Sequence, residues 1–247
     1  MGRTFEALER AKTELKRVES PVVESHDPMI LTPTRRSSIQ VAPGRIHDLK
    51  SRILSRQNGR PIRTILLTGT AQGSGTSTTA ASLATSLASD FRYRVLLVDA
   101  NLRTPGLHEV FQIEPSGGIY DVLTKEDKPA AQFQKVGPGK LFLMPSGVYK
   151  PVSNGNFNTP RFNLFLETAR KNFDYIIIDS APLNAFPDTE AICAKVDGVV
   201  LVITYGKTRR QVALRGKRML EDAGAFLLGV VINRRKFYIP DWLYKRL

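Results

Sequence analysis

The chain has 247 residues, 42% of them hydrophobic, which suits one α/β domain with short appendages and a sizeable core and excludes wholesale disorder. Its single cysteine, Cys193, excludes an internal disulfide and suits a reducing cytoplasm, and no apolar run approaches the roughly 18 residues of a spanning helix. The net charge of +13 sits at the two ends: residues 1–62 hold 12 Lys/Arg against 7 acids, residues 63–205 balance at 13 each, and residues 206–247 hold 11 against 3.

Basic ends of this kind serve nucleic acid, an anionic lipid surface, an acidic partner face, or solubility alone. The amino terminus lacks the apolar stretch of a secretory signal. Gly2 is followed by Glu6 and Leu8 rather than by the hydroxyl residue that myristoylation needs, so neither modification is expected.

In chain order, residues 4–18 place Phe5, Leu8, Ala11, Leu15 and Val18 on one face and predict a short amphipathic helix. Residues 19–43 carry four prolines among Ser, Thr and Asp and read as a flexible linker. A second helix is predicted over 45–57, with Ile46, Leu49, Ile53 and Leu54 on its buried side. From residue 63 strands and helices alternate. The strands fall at 63–68, 94–99, 141–144, 175–179, 198–204 and 227–232, and the helices at 76–89, 118–124, 160–171, 187–194 and 208–223.

Several of these strands are continuous apolar runs, the mark of a parallel sheet covered on both faces. The expected fold class is therefore α/β, an open, doubly wound, mostly parallel sheet. The expected organisation is an N-terminal helix and linker over 1–43, a P-loop domain over 44–236 and a basic, aromatic tail over 237–247.

Chemistry gathers first where Ile65, Leu66 and Leu67 run into a glycine-rich turn. That turn opens a helix carrying Ala80, Leu83, Ala84 and Leu87 at helical spacing. This is the build of a phosphate-binding loop, G-x4-G-K-[ST]. Its backbone N–H groups cradle phosphates, a lysine reaches the β/γ-phosphates and a Ser/Thr hydroxyl holds Mg²⁺. Gly73, Ser74, Gly75, Thr76, Ser77 and Thr78 are the nucleotide-binding candidates, but the lysine position is Thr76. Thr70 stands at the first-glycine position, with Gly69 one residue early.

Two further apolar strands end in aspartate, Asp99 and Asp179, at the carboxyl ends where open α/β sheets bind ligands. Ser77 is the direct Mg²⁺ ligand candidate. Asp99 and Asp179 are expected to hold the metal or its waters, and in an active site one of them takes a proton from the acceptor, so both are the catalytic candidates. Alone, Ser77 reads as an ordinary helix N-cap and either Asp as a strand-end turn residue. The three together, in this order, point to a nucleotide site. Tyr120 and Asp121 are expected to shape a helix start beside it.

On these residues the chain resembles the bacterial tyrosine kinase family (BY-kinases), the cytoplasmic ATPase domain of capsule and exopolysaccharide co-polymerases and kin to MinD/ParA-type P-loop ATPases. The resemblance covers about residues 44–236. It rests on the loop and helix at 69–84, on the second acidic motif at 97–105, and on the Walker B segment at 173–182. The segments at 197–210 and 228–235 match further downstream. The resemblance implies ATP or ADP with Mg²⁺ as cofactors, with Asn233 and Arg234 near the adenine. It also implies a homo-oligomer and a membrane-embedded polysaccharide co-polymerase of the Wzc/CapA kind as partner, with the chain peripheral at the cytoplasmic face of the inner membrane.

Four departures stand out. Thr76 replaces the loop lysine, and Asn101 stands where the second acid of Asp-x-Asp sits. Gly44, His47 and Lys50 occupy the positions of the family's oligomerisation pattern Glu-x-x-Arg-x-x-Arg. The C-terminal tyrosine cluster is reduced to Tyr238 and Tyr244.

Removing one preorganised charge-stabilising group costs about 10²- to 10³-fold in rate. The loop N–H groups, the helix dipole and Mg²⁺ remain, so weak nucleotide binding is expected to outlast turnover. Arg103, Lys207 and Arg209 are the candidates to replace the lost cation. The tail at 237–247 mixes Phe, Ile, Trp and Leu with Lys245 and Arg246, suited to an inner-leaflet surface or a partner's helix, or to packing back on the domain.

The expected function is a kinase-like protein of exopolysaccharide or capsule export with weak or lost tyrosine kinase activity. The alternatives are a working autokinase that modifies Tyr238 or Tyr244 and a ParA-like DNA-associated ATPase. The last is disfavoured because Ala71 stands where that branch carries an extra lysine, so nucleic acid is not the expected partner.

Overall fold

The computed structural model describes residues 43–55, 61–124, 133–137, 139–148, 157–184 and 188–234. The expected helix at 4–18, the linker up to residue 42 and the tail at 237–247 lie outside these residues.

In chain order the elements are α1 (Pro43–Ser55), β1 (Thr64–Gly69), α2 (Thr76–Ala88), β2 (Val95–Asp99), α3 (Leu107–Phe111), α4 (Ile119–Thr124) and β3 (Gln134–Lys135). They continue with β4 (Leu141–Met144), α5 (Pro160–Asn172), β5 (Tyr175–Asp179), α6 (Asp188–Cys193), β6 (Gly198–Thr204), α7 (Arg210–Asp222) and β7 (Leu227–Asn233). The strands form one sheet in the order β3-β4-β2-β5-β1-β6-β7, parallel throughout except for the antiparallel β3–β4 edge.

The continuous apolar runs follow from what covers the sheet. On one face Leu66, Leu96, Val98, Ile176, Ile178 and Leu201 pack with α5 residues such as Phe162 and Leu166. On the other, Ile65, Leu67, Val95, Leu97, Ile177 and Val200 meet α2 and, beyond it, Leu49 and Ile53 of α1. Every residue of β1, β2 and β5 is buried. Each large side chain so enclosed contributes about 1.5–3 kcal/mol.

α2 is an alanine-rich helix, and Ala80, Ala81, Ala84 and Ala88 let it lie close on the strands. Lys50 joins α1 to the end of α2 by donating to the Ser86 carbonyl and to Asp90 Oδ2, both at 2.7 Å. One of the three positions matched to the oligomerisation pattern is thus engaged within the domain. α5 starts where Thr159 Oγ1 accepts from the Phe162 N–H and Pro160 supplies a fixed φ.

Within the described residues the expected elements all form, with ends shifted by at most two residues; α7 begins at Arg210 rather than 208, after the turn at 205–209. Two elements were not expected. α3 has five residues and β3 two, too few for a periodic signal. β7 alternates between half-buried and exposed because it is a sheet edge, with Val230 and Ile232 exposed. Among the described residues no helix is long and apolar enough to cross a membrane.

Candidate nucleotide site

Register brings the chemistry together. Asp179 lies opposite Leu67 on one side and Asp99 on the other, so the ends of β1, β2 and β5 are level. β1 delivers the chain directly into the loop at 70–75, and α2 starts at Thr76.

The loop holds its own shape. Gly73 and Gly75 sit at φ 75° and 83°, a region open to glycine and costly for other residues. Gly75 has a second requirement, since a Cβ there would land on the Asn233 amide. Ser74 donates its hydroxyl to the Ala71 carbonyl at 2.6 Å, and Asn233 Nδ2 donates to the Ser74 carbonyl at 3.0 Å. Asn184 Nδ2 reaches the Thr70 carbonyl at 3.3 Å, and Thr79 caps the Gly75 carbonyl through its hydroxyl. Gly75, the N-cap of α2, has no side-chain cap, and the first turn of α2 carries no acid. The helix therefore turns a bare N-terminus toward the loop, which favours an anion. Ser77 and Thr78 are half-buried on this first turn.

Thr76 does not extend like a lysine. Its hydroxyl lies so near Gly69 that a Cβ there would come within 2.8 Å of it, so the side chain turns back against the base of the loop. No cation stands at that position.

The two aspartates are fully buried but differently surrounded. Asp99 Oδ2 accepts from the Gly106 and Leu107 N–H groups at 3.1 Å each, and Oδ1 accepts from the Asn101 N–H at 3.2 Å. It closes the segment 100–106 and holds the start of α3. Burial pushes its carboxyl up to about 6 against the pull of those three donors. Among the described residues neither oxygen of Asp179 has a hydrogen-bond partner. Burial, and then the neighbouring Asp99 charge, raises its carboxyl well above the usual range. The nearby Ser77 hydroxyl pulls the other way without completing a hydrogen bond by distance and angle.

A buried carboxylate with vacant oxygens beside a helix-start hydroxyl fits Mg²⁺, which is commonly held by one or two protein oxygens together with substrate phosphates. Among the described residues no cluster of three or more His, Cys, Asp or Glu would hold a cation unaided. Ser77 and Asp179 would hold it, with Asp99 adding charge from behind its backbone donors, and the bound ion would supply positive charge at the phosphates.

Two cavities flank the loop. One, of about 480 Å³, is lined by Thr70, Ser74, Lys207, Arg209 and Arg234 among others. The other, of about 340 Å³, is lined by Thr70, Arg103, Thr104 and Asn184 among others. Of the three candidate replacement cations, Lys207 and Arg209 thus group together, while Arg103 lies apart near Asp188, whose burial-raised carboxyl it pulls down. A larger cavity of about 570 Å³ lies between α1 and β7, away from the loop.

Asn233, matched by resemblance to the adenine side, contacts the loop itself here. Arg234 follows it at φ 56°, its N–H donating to Asn233 Oδ1 at 2.7 Å. Asp121 accepts from the Gly118 N–H at the start of α4, as expected of a helix-start residue. The sequence singled out Lys207 and Arg209 as replacement cations and Arg234 by resemblance, but not Thr70 as a lining hydroxyl nor the cavity that all four share.

Comparison with known proteins agrees with this geometry. The family described as an AAA domain matches residues 62–222. A tyrosine-protein kinase of Bacillus subtilis (strain 168), YwqD, is 32% identical over 72% of this chain and 74% of its own length. The succinoglycan biosynthesis transport protein ExoP of Rhizobium meliloti (strain 1021) is 29% identical over 71% of this chain, which spans 23% of ExoP. The crystal structure of the chimerical protein CapA2B2 superposes with a TM-score of 0.72 at 27% identity, covering 78% of this chain and 84% of that one. The fold, the loop and the matched relatives agree, and the chain belongs to the bacterial tyrosine kinase family of P-loop ATPases.

Proposed function

We propose that this chain is a kinase-like nucleotide-binding protein of exopolysaccharide or capsule export. It binds ATP or ADP with Mg²⁺ weakly, transfers phosphate slowly or not at all, and acts as the cytoplasmic partner of a membrane co-polymerase. One juxtaposition carries this reading: a preformed loop and an unpartnered Asp179, beside a Thr76 that leaves the loop without its cation. A preorganised cradle with a vacant carboxylate favours binding. A missing transition-state charge lowers the rate by about 10²- to 10³-fold. The export role is supported by the likeness to ExoP, named as a biosynthesis transport protein.

The test titrates fluorescent ATP and ADP analogues, with and without Mg²⁺, into wild type and Thr76→Lys. Weak, Mg²⁺-strengthened binding by wild type that tightens tenfold or more in Thr76→Lys is the expected result. Robust Mg²⁺·ATP-dependent tyrosine phosphorylation by purified wild type, abolished by Asp179→Asn, would overturn the impaired-transfer half. No binding by either form would overturn the nucleotide half.

A further inference from the structure

We propose that Lys207, Arg209 and Arg234, with the Thr70 hydroxyl, form an anion-binding wall that takes the polyphosphate of a nucleotide and supplies, from outside the loop, the charge that Thr76 lacks. The proposal rests on the nucleotide-binding reading above.

The three cations come from two distant segments yet line one cavity of about 480 Å³ with the loop residues. Among the described residues no carboxylate lines that cavity and none of the three cations forms an ion pair. Uncompensated like charges repel one another, so an anion is the natural occupant.

The backbone that carries these exposed side chains is fixed in place. The Thr204 N–H donates to Thr208 Oγ1 at 3.0 Å and the Thr208 N–H returns to the Thr204 carbonyl at 3.0 Å, which makes a tight turn carrying Lys207. Arg209 is the N-cap of α7, a helix of 13 residues with no side-chain cap and no acid in its first turn, so that helix adds its positive end. Arg234 hangs from Asn233, which itself holds the Ser74 carbonyl of the loop. α7 also packs directly on the loop: Gly216 has no Cβ, and one there would come within 3.3 Å of Thr70 Cγ2.

Thr70 is the independent sign of a ligand. It is 4% exposed, its Oγ1 has no hydrogen-bond partner among the described residues, and it stands between this cavity and the neighbouring one of about 340 Å³. Buried hydroxyls are nearly always paired, and a phosphate oxygen would complete this one.

The test compares wild type with the Lys207→Met/Arg209→Met double variant by calorimetric titration with inorganic tripolyphosphate, ATP and AMP. Lys217→Met serves as a control, since that residue lies on the far half of α7 and pairs with Glu221. The double variant is expected to lose tenfold or more in affinity for tripolyphosphate and ATP, to lose little for AMP, and to show a shallower salt dependence. Adding Thr76→Lys to the double variant is expected to restore ATP affinity. Thr70→Val is expected to raise the melting temperature while weakening tripolyphosphate binding severalfold, a pattern that misfolding cannot produce.

Unchanged tripolyphosphate affinity in the double variant, or equal losses for AMP and ATP, would overturn the proposal. Tripolyphosphate binding that depends on this wall, without any nucleotide binding, would overturn the nucleotide reading and leave the wall standing. ATP binding indifferent to the loss of Lys207 and Arg209 would do the reverse.

Discussion

Asp99 at the end of β2 and Asp179 at the end of β5 face each other in register and are both 0% exposed, yet Asp99 accepts three backbone N–H groups and Asp179 accepts none. The β2 end uses its carboxylate to fold its own loop; the β5 end leaves a carboxylate unsatisfied beside the glycine-rich loop. Burial and strand-end position are the same for both, so neither property tells the two apart. Saturation of the oxygens does. In a native protein an unsatisfied buried carboxylate calls for an explanation, and a divalent cation at Ser77 and Asp179 supplies one.

The largest effect that would break this contrast concerns stability. Asp99→Ala strands three N–H donors, two of them at the start of α3, and is expected to cost about 3–5 kcal/mol. Asp179→Ala removes a buried, unpaired acid and is expected to raise stability in metal-free buffer. Urea unfolding of both variants decides the matter, and equal losses would erase the distinction.

Next in size is the metal dependence. Asp179→Asn is expected to abolish the Mg²⁺-dependent gain in nucleotide affinity, a loss of about a hundredfold, with Ser77→Ala losing about tenfold. Both are read from titrations with and without Mg²⁺. A full Mg²⁺ response in Asp179→Asn would move the metal elsewhere.

pH sharpens the same contrast. Asp99 rises to about 6 in the folded state, against about 3.9 in the unfolded chain. Between those values the folded state holds the extra proton, so the contribution of Asp99 to metal-free stability is fully present below about pH 4 and is lost as pH climbs through about 6. The fall from Asp99 is about 2–3 kcal/mol, and Asp179, raised further, continues it to higher pH. Thermal melts in EDTA from pH 4 to 8 should show the decline, and Mg²⁺ with nucleotide should flatten it. A stability that rises with pH in EDTA would contradict the buried, weakly compensated pair.

Most of the fold was legible in the sequence because strands covered on both faces must be apolar at every residue, as Leu66, Leu97 and Ile177 are. The loop was legible because Gly73 and Gly75 answer a backbone demand. The difference between Asp99 and Asp179 was not, because their strand endings read alike and the distinction lies in donors from residues 101, 106 and 107. α3, whose start supplies two of those three, is too short to announce itself. The cavity wall was hidden for a related reason: Thr70, Arg209 and Arg234 meet only once α7 docks on the loop through Gly216.

The smallest effect tests whether the β2 end has given up ligand duty. Asn101 replaces the second acid of the family's Asp-x-Asp, and restoring it by Asn101→Asp would seem to repair the site. The structure argues otherwise. Asn101 Nδ2 donates to the Thr104 carbonyl at 2.9 Å, while its Oδ1 accepts from the Thr104 N–H at 3.4 Å and hydroxyl at 3.2 Å. A carboxylate keeps the two accepting contacts but sets a second oxygen against a carbonyl, 9% exposed and two residues from Asp99. The expected cost is about 1 kcal/mol of stability, with no gain in Mg²⁺ affinity. A tenfold gain in Mg²⁺-dependent nucleotide binding by Asn101→Asp would show that both strand ends still face the ligand, and that the asymmetry between the two aspartates is shallow.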